Sequence, residues 1–222
     1  MQSFVVTGEP ALWLTEREAP WKKQVSATLG PEILAPQSVH MQFAVKEWTR
    51  RGNHFDVDNL ATPVLSSILG ASVAKDTRSR LVRWRATVTQ SPSPFLLLDL
   101  FDDPGEAITR SQHHVVLDGA WLGALPIDSR SKSFGFPEWI RDHAGEFKES
   151  PADRFGVSLV FGDDVRDISR PEQKPIKPVI DCLYPLFGGT AANGDDWKVL
   201  VLEVERRPSL QGTCRVQCWR LA

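Results

Sequence analysis

The stretches TPVLSSIL, residues 62–69, and KPVIDCLY, residues 177–184, set the same run of apolar residues behind a proline. A proline near the start of a helix loses no needed N–H, so each stretch reads as a helix with a fixed entry. Outward from the first copy, FVVTGEP (4–10) reads as a strand, EAPWKKQVSATLG (18–30) as a helix and SVHMQFAVKEW (38–48) as an alternating strand. Leu60, Val64, Leu65 and Ile68 then recur at helical spacing. SRLVRWRATVTQ (79–90), a turn at SPSP (91–94) and FLLLDLF (95–101) complete a β-α-β-α-β-β order.

Around the second copy the order returns. HHVVLDGAWLG (113–123), FPEWIRDHAGEF (136–147), FGVSLVFGDD (155–164), the KPVIDCLYPLF helix (177–187), WKVLVLEVER (197–206) and TCRVQCWRL (213–221) follow one another, the last after a turn at PSLQG. Gly8 is echoed by Gly119, and Pro20-Trp21 by Pro137-Glu138-Trp139. Any two α/β segments can share an order of elements; the matched tryptophans and prolines favour a duplication. The boundary falls in the polar DDPGEAITRSQ stretch (102–112), giving halves 1–108 and 109–222. The fold class expected is α/β (α+β), with the two units sharing an interface as an intramolecular pseudo-dimer.

Composition narrows the setting. With 222 residues and 41% hydrophobic content the chain can bury a sizeable core. No apolar run is long enough to span a membrane and the N-terminus lacks a signal-peptide layout, so the expected location is cytoplasmic. Cys182, Cys214 and Cys218 form no CxxC hooks, and Cys214 and Cys218 would share one strand face as core thiols. A net charge of −2 excludes a broadly basic nucleic-acid coat. A local basic groove remains open: Arg50 and Arg51 precede the acidic motif and Arg78, Arg80, Arg83 and Arg85 follow it, with spacing-two neighbours projecting together. A solvated strand face is the plainer reading of the same arginines. Trp48 and Trp84, close to them, are candidates for base contact or for core packing.

The chemistry concentrates in NHFDVDNL, residues 53–60. Asp56 and Asp58 gather negative charge where a helix begins, which calls for protonation or for a hard cation such as Mg²⁺. Asp76, in SVAKDTRSR, follows the helix and can return to the pair as a third oxygen ligand. Taken singly, each acid is equally an N-cap or a turn residue. The sequence carries no Gly-rich phosphate loop, nucleophile elbow or HExxH signature.

FDVDNLATPVLSSIL (55–69), followed by an acid before a strand, resembles the RusA family of Holliday-junction resolvases, and the similarity runs over residues 4–101 and recurs in 114–220. The resemblance implies two tandem RusA-like units and a Mg²⁺- or Mn²⁺-dependent endodeoxyribonuclease acting on branched DNA in recombination and repair. Asp56, Asp58 and Asp76 match the metal-binding acids and Asn59 the adjoining asparagine. The family lysine falls on Thr62, and Lys75 replaces the first acid of the downstream pair. In the second half Lys177 keeps the lysine position and Asp195 and Asp196 keep the acid pair, but Pro171-Glu172-Gln173-Lys174 replaces the Asp-x-Asp-Asn stretch. One composite site is therefore expected, with Lys177 approaching Asp56, Asp58 and Asp76 across the pseudo-twofold axis, and a homodimer of the fused chain where two cuts are needed. The competing expectation is a retired, non-catalytic DNA-binding or protein-interaction module. Outside the resemblance, an unrelated α/β protein could carry both the repeat and the motif.

Overall fold

The computed structural model describes residues 1–31, 33, 35–46, 56–72, 80–104, 114–126, 135–144, 147–162, 164–172, 175–191, 193–208, 210 and 213–221. In chain order the elements are β1 (Gln2–Thr7), α1 (Glu18–Leu29), β2 (Ser38–Val45), α2 (Val57–Ala71), β3 (Arg83–Gln90) and β4 (Phe95–Phe101). They continue with β5 (His114–Trp121), α3 (Phe136–Ala144), β6 (Phe155–Phe161), α4 (Ile176–Asp181) and α5 (Tyr184–Phe187). A two-residue hairpin, β7 (Gly189–Thr190) and β8 (Asn193–Gly194), a 3₁₀ turn (Asp196–Lys198), β9 (Val199–Arg206) and β10 (Cys214–Arg220) complete the chain. The expected boundary at 108/109 lies outside the described residues.

The chain is mixed α/β. Eight strands form one sheet in the order β1-β4-β2-β3-β9-β6-β10-β5. Read from the β1 edge, the first four-strand set runs first, fourth, second, third in sequence order; read from the β5 edge, so does the second. Directions match as well: β2/β3 and β6/β9 are the parallel pairs, and the others are antiparallel. The sets join where β3 pairs antiparallel with β9, Arg83 opposite Glu205 and Trp84 opposite Val204.

Period-two alternation explains which face is covered. Val39, Met41, Leu98, Leu100, Trp84, Ala86, Leu202, Val204, Val157, Leu159, Val216 and Cys218 share one face by register and are all buried. Helices cover this side. α2 packs on β3 and β9 and so straddles the seam, α1 packs on α2 and β1, and α3 packs on β5. Close approach there depends on glycine: a Cβ on Gly119 would lie 2.8 Å from the Trp139 indole of α3. Trp84 is fully buried and its indole N–H donates to the Ile168 carbonyl at 2.6 Å, tying β3 to the segment that leads into α4. Trp84 is thus a core residue and is withdrawn as a base contact; Trp48 lies outside the described residues.

Local details refine the sequence expectations. Gly30 ends α1 with φ 79, returning its N–H to the Ser26 carbonyl. Pro178 sits in the first turn of α4, but α2 starts at Val57, so Pro63 is interior to its helix rather than at its entry. Pro63 has no N–H for the Asn59 carbonyl, and the Trp13 backbone N–H takes that carbonyl instead at 3.0 Å. The second apolar run, expected as one helix, splits into α4 and α5. Cys214 and Cys218 do share a buried face, with burial holding both thiols above the ordinary range. No helix among the described residues is long and apolar enough to cross a membrane.

Candidate functional site

Asp56 occupies the position before the first residue of α2, in extended conformation (φ −65, ψ 128), yet its carboxylate makes no capping bond. It accepts the Asn59 side-chain amide at 3.1 Å instead. Asp58 lies in the first turn and is 1% exposed. Among the described residues Asp56 Oδ1 and Asp58 Oδ2 are buried without a hydrogen-bond partner, though Asp58 Oδ2 faces an ammonium at 3.6 Å. Both acids face the same point, which removes the turn-or-cap explanation.

That point is held by the other half of the chain. The Lys177 ammonium, projecting from α4, lies 2.8 Å from Asp196, 3.1 Å from Asp181, 3.6 Å from Asp58 and 3.8 Å from Asp56. Four carboxylates therefore share one ammonium, and electrostatics follows from that ratio. Burial, reinforced by Asp196 and only partly offset by Lys177, pushes Asp56 up to about 8. Burial likewise raises Asp58 against the opposing pull of Lys177. For Lys177 burial acts downward, but Asp58, Asp196, Asp56 and Asp181 together outweigh it and hold the ammonium well above its ordinary range. Among the described residues the cluster is short of positive charge.

Adjacent Asp195 and Asp196, expected as a supporting pair, part company. Asp196 joins Lys177, whereas Asp195 turns to the buried Lys198 at 3.3 Å and accepts the Trp197 indole N–H at 3.2 Å. Lys198 also pairs with Glu149 and donates to the Phe187 carbonyl at 2.7 Å, so that cluster is internally satisfied. Asp181 was missed by the sequence reading. Its signal was available in the i,i+4 spacing from Lys177 on a helix. Asp76, Arg50, Arg51 and Arg78 lie outside the described residues.

The arginines divide. Arg80 is exposed. Arg83 and Arg85 project together, but on the sheet face opposite Trp84, where Arg83 binds Glu205 at 2.7 Å and Arg85 faces Glu203 at 3.5 Å. They lock β3 to β9, so the grouping of Arg83 and Arg85 with Asp56 and Asp58 around one groove does not hold for the folded chain.

A second meeting of the same two helix entries completes the picture. Thr62, one turn further along α2, has its hydroxyl 2.9 Å from the Asp58 carbonyl and 3.0 Å from the Glu172 carboxylate just ahead of α4, its one proton divided between the two acceptors. Thus α4's Lys177 meets the acids that open α2, and α2's Thr62 meets an acid that opens α4. Beside Thr62 and Glu172 lies a cleft of about 350 Å³ lined also by Trp13, Lys22, Ser169 and Arg170.

Compared with protein-family models and with curated proteins, the chain matches none. Among the described residues, no three His, Cys, Asp or Glu side chains form a ready-made metal-holding group. A hard cation nonetheless suits what is present. Mg²⁺ takes one or two carboxylates and keeps several waters, and Asp56 offers a buried oxygen with no hydrogen-bond partner among the described residues, with the Asp58 carboxylate beside it on the same ammonium.

Proposed function

We propose that the chain is a Mg²⁺- or Mn²⁺-dependent, structure-specific endonuclease for branched DNA of the Holliday-junction kind. In this reading it is built as two tandem RusA-like units, 1–108 and 109–222, with one composite acidic site. The observation that carries the reading is the convergence of Asp56 and Asp58 on Lys177 and Asp196, residues contributed by the two halves, with Asp56 Oδ1 buried and without a hydrogen-bond partner among the described residues. The pseudo-dimer reading draws support from the strand order, which is the same from either edge, and from the reciprocal Lys177–Asp58 and Thr62–Glu172 contacts.

Asp56 and Asp58 would hold the ion, with Asp196 beside them and Asn59 orienting Asp56. When bound, the ion supplies Lewis-acid stabilisation of a phosphodiester and acidifies the attacking water. The chain's own part begins with charge. Asp56 and Asp58 are held protonation-prone by burial, so the site is poised to exchange protons for a cation near neutral pH. Lys177 is the chain's own positive charge at the same point and is placed to neutralise phosphate once the acids are otherwise engaged. One such site per chain makes one nick, so paired cuts on a four-way junction require two chains.

A labelled-substrate assay on four-way junction, flap and fork DNA tests this. Asp56→Asn and Asp58→Asn should each lose at least a hundredfold in cleavage with binding retained, and a monomeric preparation should give single nicks. Absence of cleavage by the parent protein with either ion would sink the nuclease reading. Junction binding without cleavage would instead support the binding-module reading, which the ammonium already seated among the acids favours.

A further inference from the structure

The cleft beside Thr62 and Glu172 differs in charge from the acid cluster. Around Lys177 four carboxylates face one ammonium, so a phosphodiester enters only with an added cation. Among the described residues that line the cleft two acids, Glu18 and Glu172, are balanced by two bases, Lys22 and Arg170, with Lys22 3.8 Å from Glu18. With charge balanced, a phosphate needs no metal to enter.

The cleft also has an aromatic wall. Trp13 lines it half-exposed, and its backbone is anchored to the Asn59 carbonyl that Pro63 leaves open. The next residue, Leu14, is 76% exposed and sits at φ 59, a left-handed conformation that a branched side chain adopts only at a cost. Leu14's N–H is bonded to Glu18, a cleft residue, at 2.8 Å, which holds the strained turn at the rim. An indole wall and two cations suit a nucleotide whose base has left its stack. The volume falls within the range of small-ligand pockets.

We propose, resting on the branched-DNA reading above, that this cleft receives one unpaired nucleotide of the branch. Its base stacks on Trp13 and its phosphate lies between Lys22 and Arg170, with no metal required. Residues of both halves line the cleft, so both fix where the branch point lies relative to Asp56 and Asp58. Such a cleft reads single-strandedness rather than base identity, because every base offers a π-face.

Fluorescence anisotropy in EDTA, comparing a labelled duplex bearing a short single-stranded flap with the same duplex lacking it, tests the assignment. Trp13→Ala should weaken flap binding roughly tenfold, the loss of about one base-stacking contact, and leave duplex binding unchanged, while Trp13→Phe should restore it. Lys22→Glu, on a solvent-accessible side chain, should weaken flap binding similarly and guards against a folding defect in the Trp13 variants. Equal flap affinity in the parent, Trp13→Ala and Lys22→Glu overturns the cleft assignment while leaving the nuclease reading standing if the parent still cleaves. A parent that prefers no flap in EDTA overturns the assignment outright; loss of cleavage alone, with flap preference intact, overturns only the nuclease reading.

Discussion

Replacing Lys177 with Met keeps most of the side-chain volume and removes the cation that Asp56, Asp58, Asp181 and Asp196 share. At an effective dielectric near 20, a unit-charge pair about 4 Å apart gains roughly 4 kcal/mol before desolvation. All four carboxylates lie between 2.8 and 3.8 Å from the ammonium, yet burial of the acids has already consumed much of that gain. Breaking a buried pair from one side costs about 3–5 kcal/mol. With Asp56 at about 8 and so largely neutral at pH 6, the lower end applies there and the upper end near pH 9. In a chain of this size about 3–5 kcal/mol corresponds to a fall in Tm of roughly 6–20 °C. Urea titrations of parent and Lys177→Met at pH 6 and pH 9, with unchanged slope as the check on two-state behaviour, measure the difference. Millimolar Mg²⁺ should then recover more stability in the variant than in the parent, because a divalent ion supplies the missing charge. Equal midpoints for the two proteins at both pH values would show that Lys177 does not hold the acids together, and the composite cluster would lose its physical basis.

Asp56 also sets a pH dependence in the parent. A carboxyl with a raised folded pKa binds more protons when folded, so its contribution to stability falls as pH rises from about 4 through about 8, and Asp56→Asn should flatten that part of the profile in thermal melts. Trp84→Ala, which empties a fully buried site and strands the Ile168 carbonyl, should cost about 3–5 kcal/mol in chemical denaturation. Gly156→Ala places a Cβ 2.1 Å from the Trp219 ring and should cost about 1–3 kcal/mol, which Trp219→Leu should partly relieve. Cys214 and Cys218, buried and held above the usual thiol range, should react with a thiol-specific disulfide reagent only on unfolding; rapid labelling of the native chain would show that β10 opens.

Much of the architecture was legible because period-two alternation is a local signal. FLLLDLF is β4 residue for residue, and the repeat of six elements placed every strand of the eight-stranded sheet. What failed was what depends on partners far along the chain. Alternation put Arg83 and Arg85 on one face and Trp84 on the other, but could not say that helices cover the Trp84 side or that Glu203 and Glu205 wait opposite the arginines on β9. Pro63 reads as a helix entry until Trp13 is seen to supply the hydrogen bond the proline cannot.

The candidate site divides along the same line. Asp56 and Asp58 announce themselves as a motif, and Lys177 was reachable only through the repeat, since nothing local ties it to acids more than a hundred residues earlier. Asp196 and Asp195 show the limit most sharply: neighbours of identical chemistry, they are sent to different lysines by the 3₁₀ turn that begins at Asp196. A helix straddling the β3–β9 seam carries residues of the first half up to the second, and its entry meets the segment around α4. Among the described residues two such meetings occur, and the residues differ at each. At one, lysine meets paired aspartates and positive charge is lacking; at the other, threonine meets glutamate and charge is balanced. The paired aspartates, set against a single glutamate, separate a point that attracts a cation from one that does not. On the nuclease reading proposed above, Thr62→Lys should draw the new ammonium to Glu172 without generating a second nick, since the paired aspartates are missing beside α4.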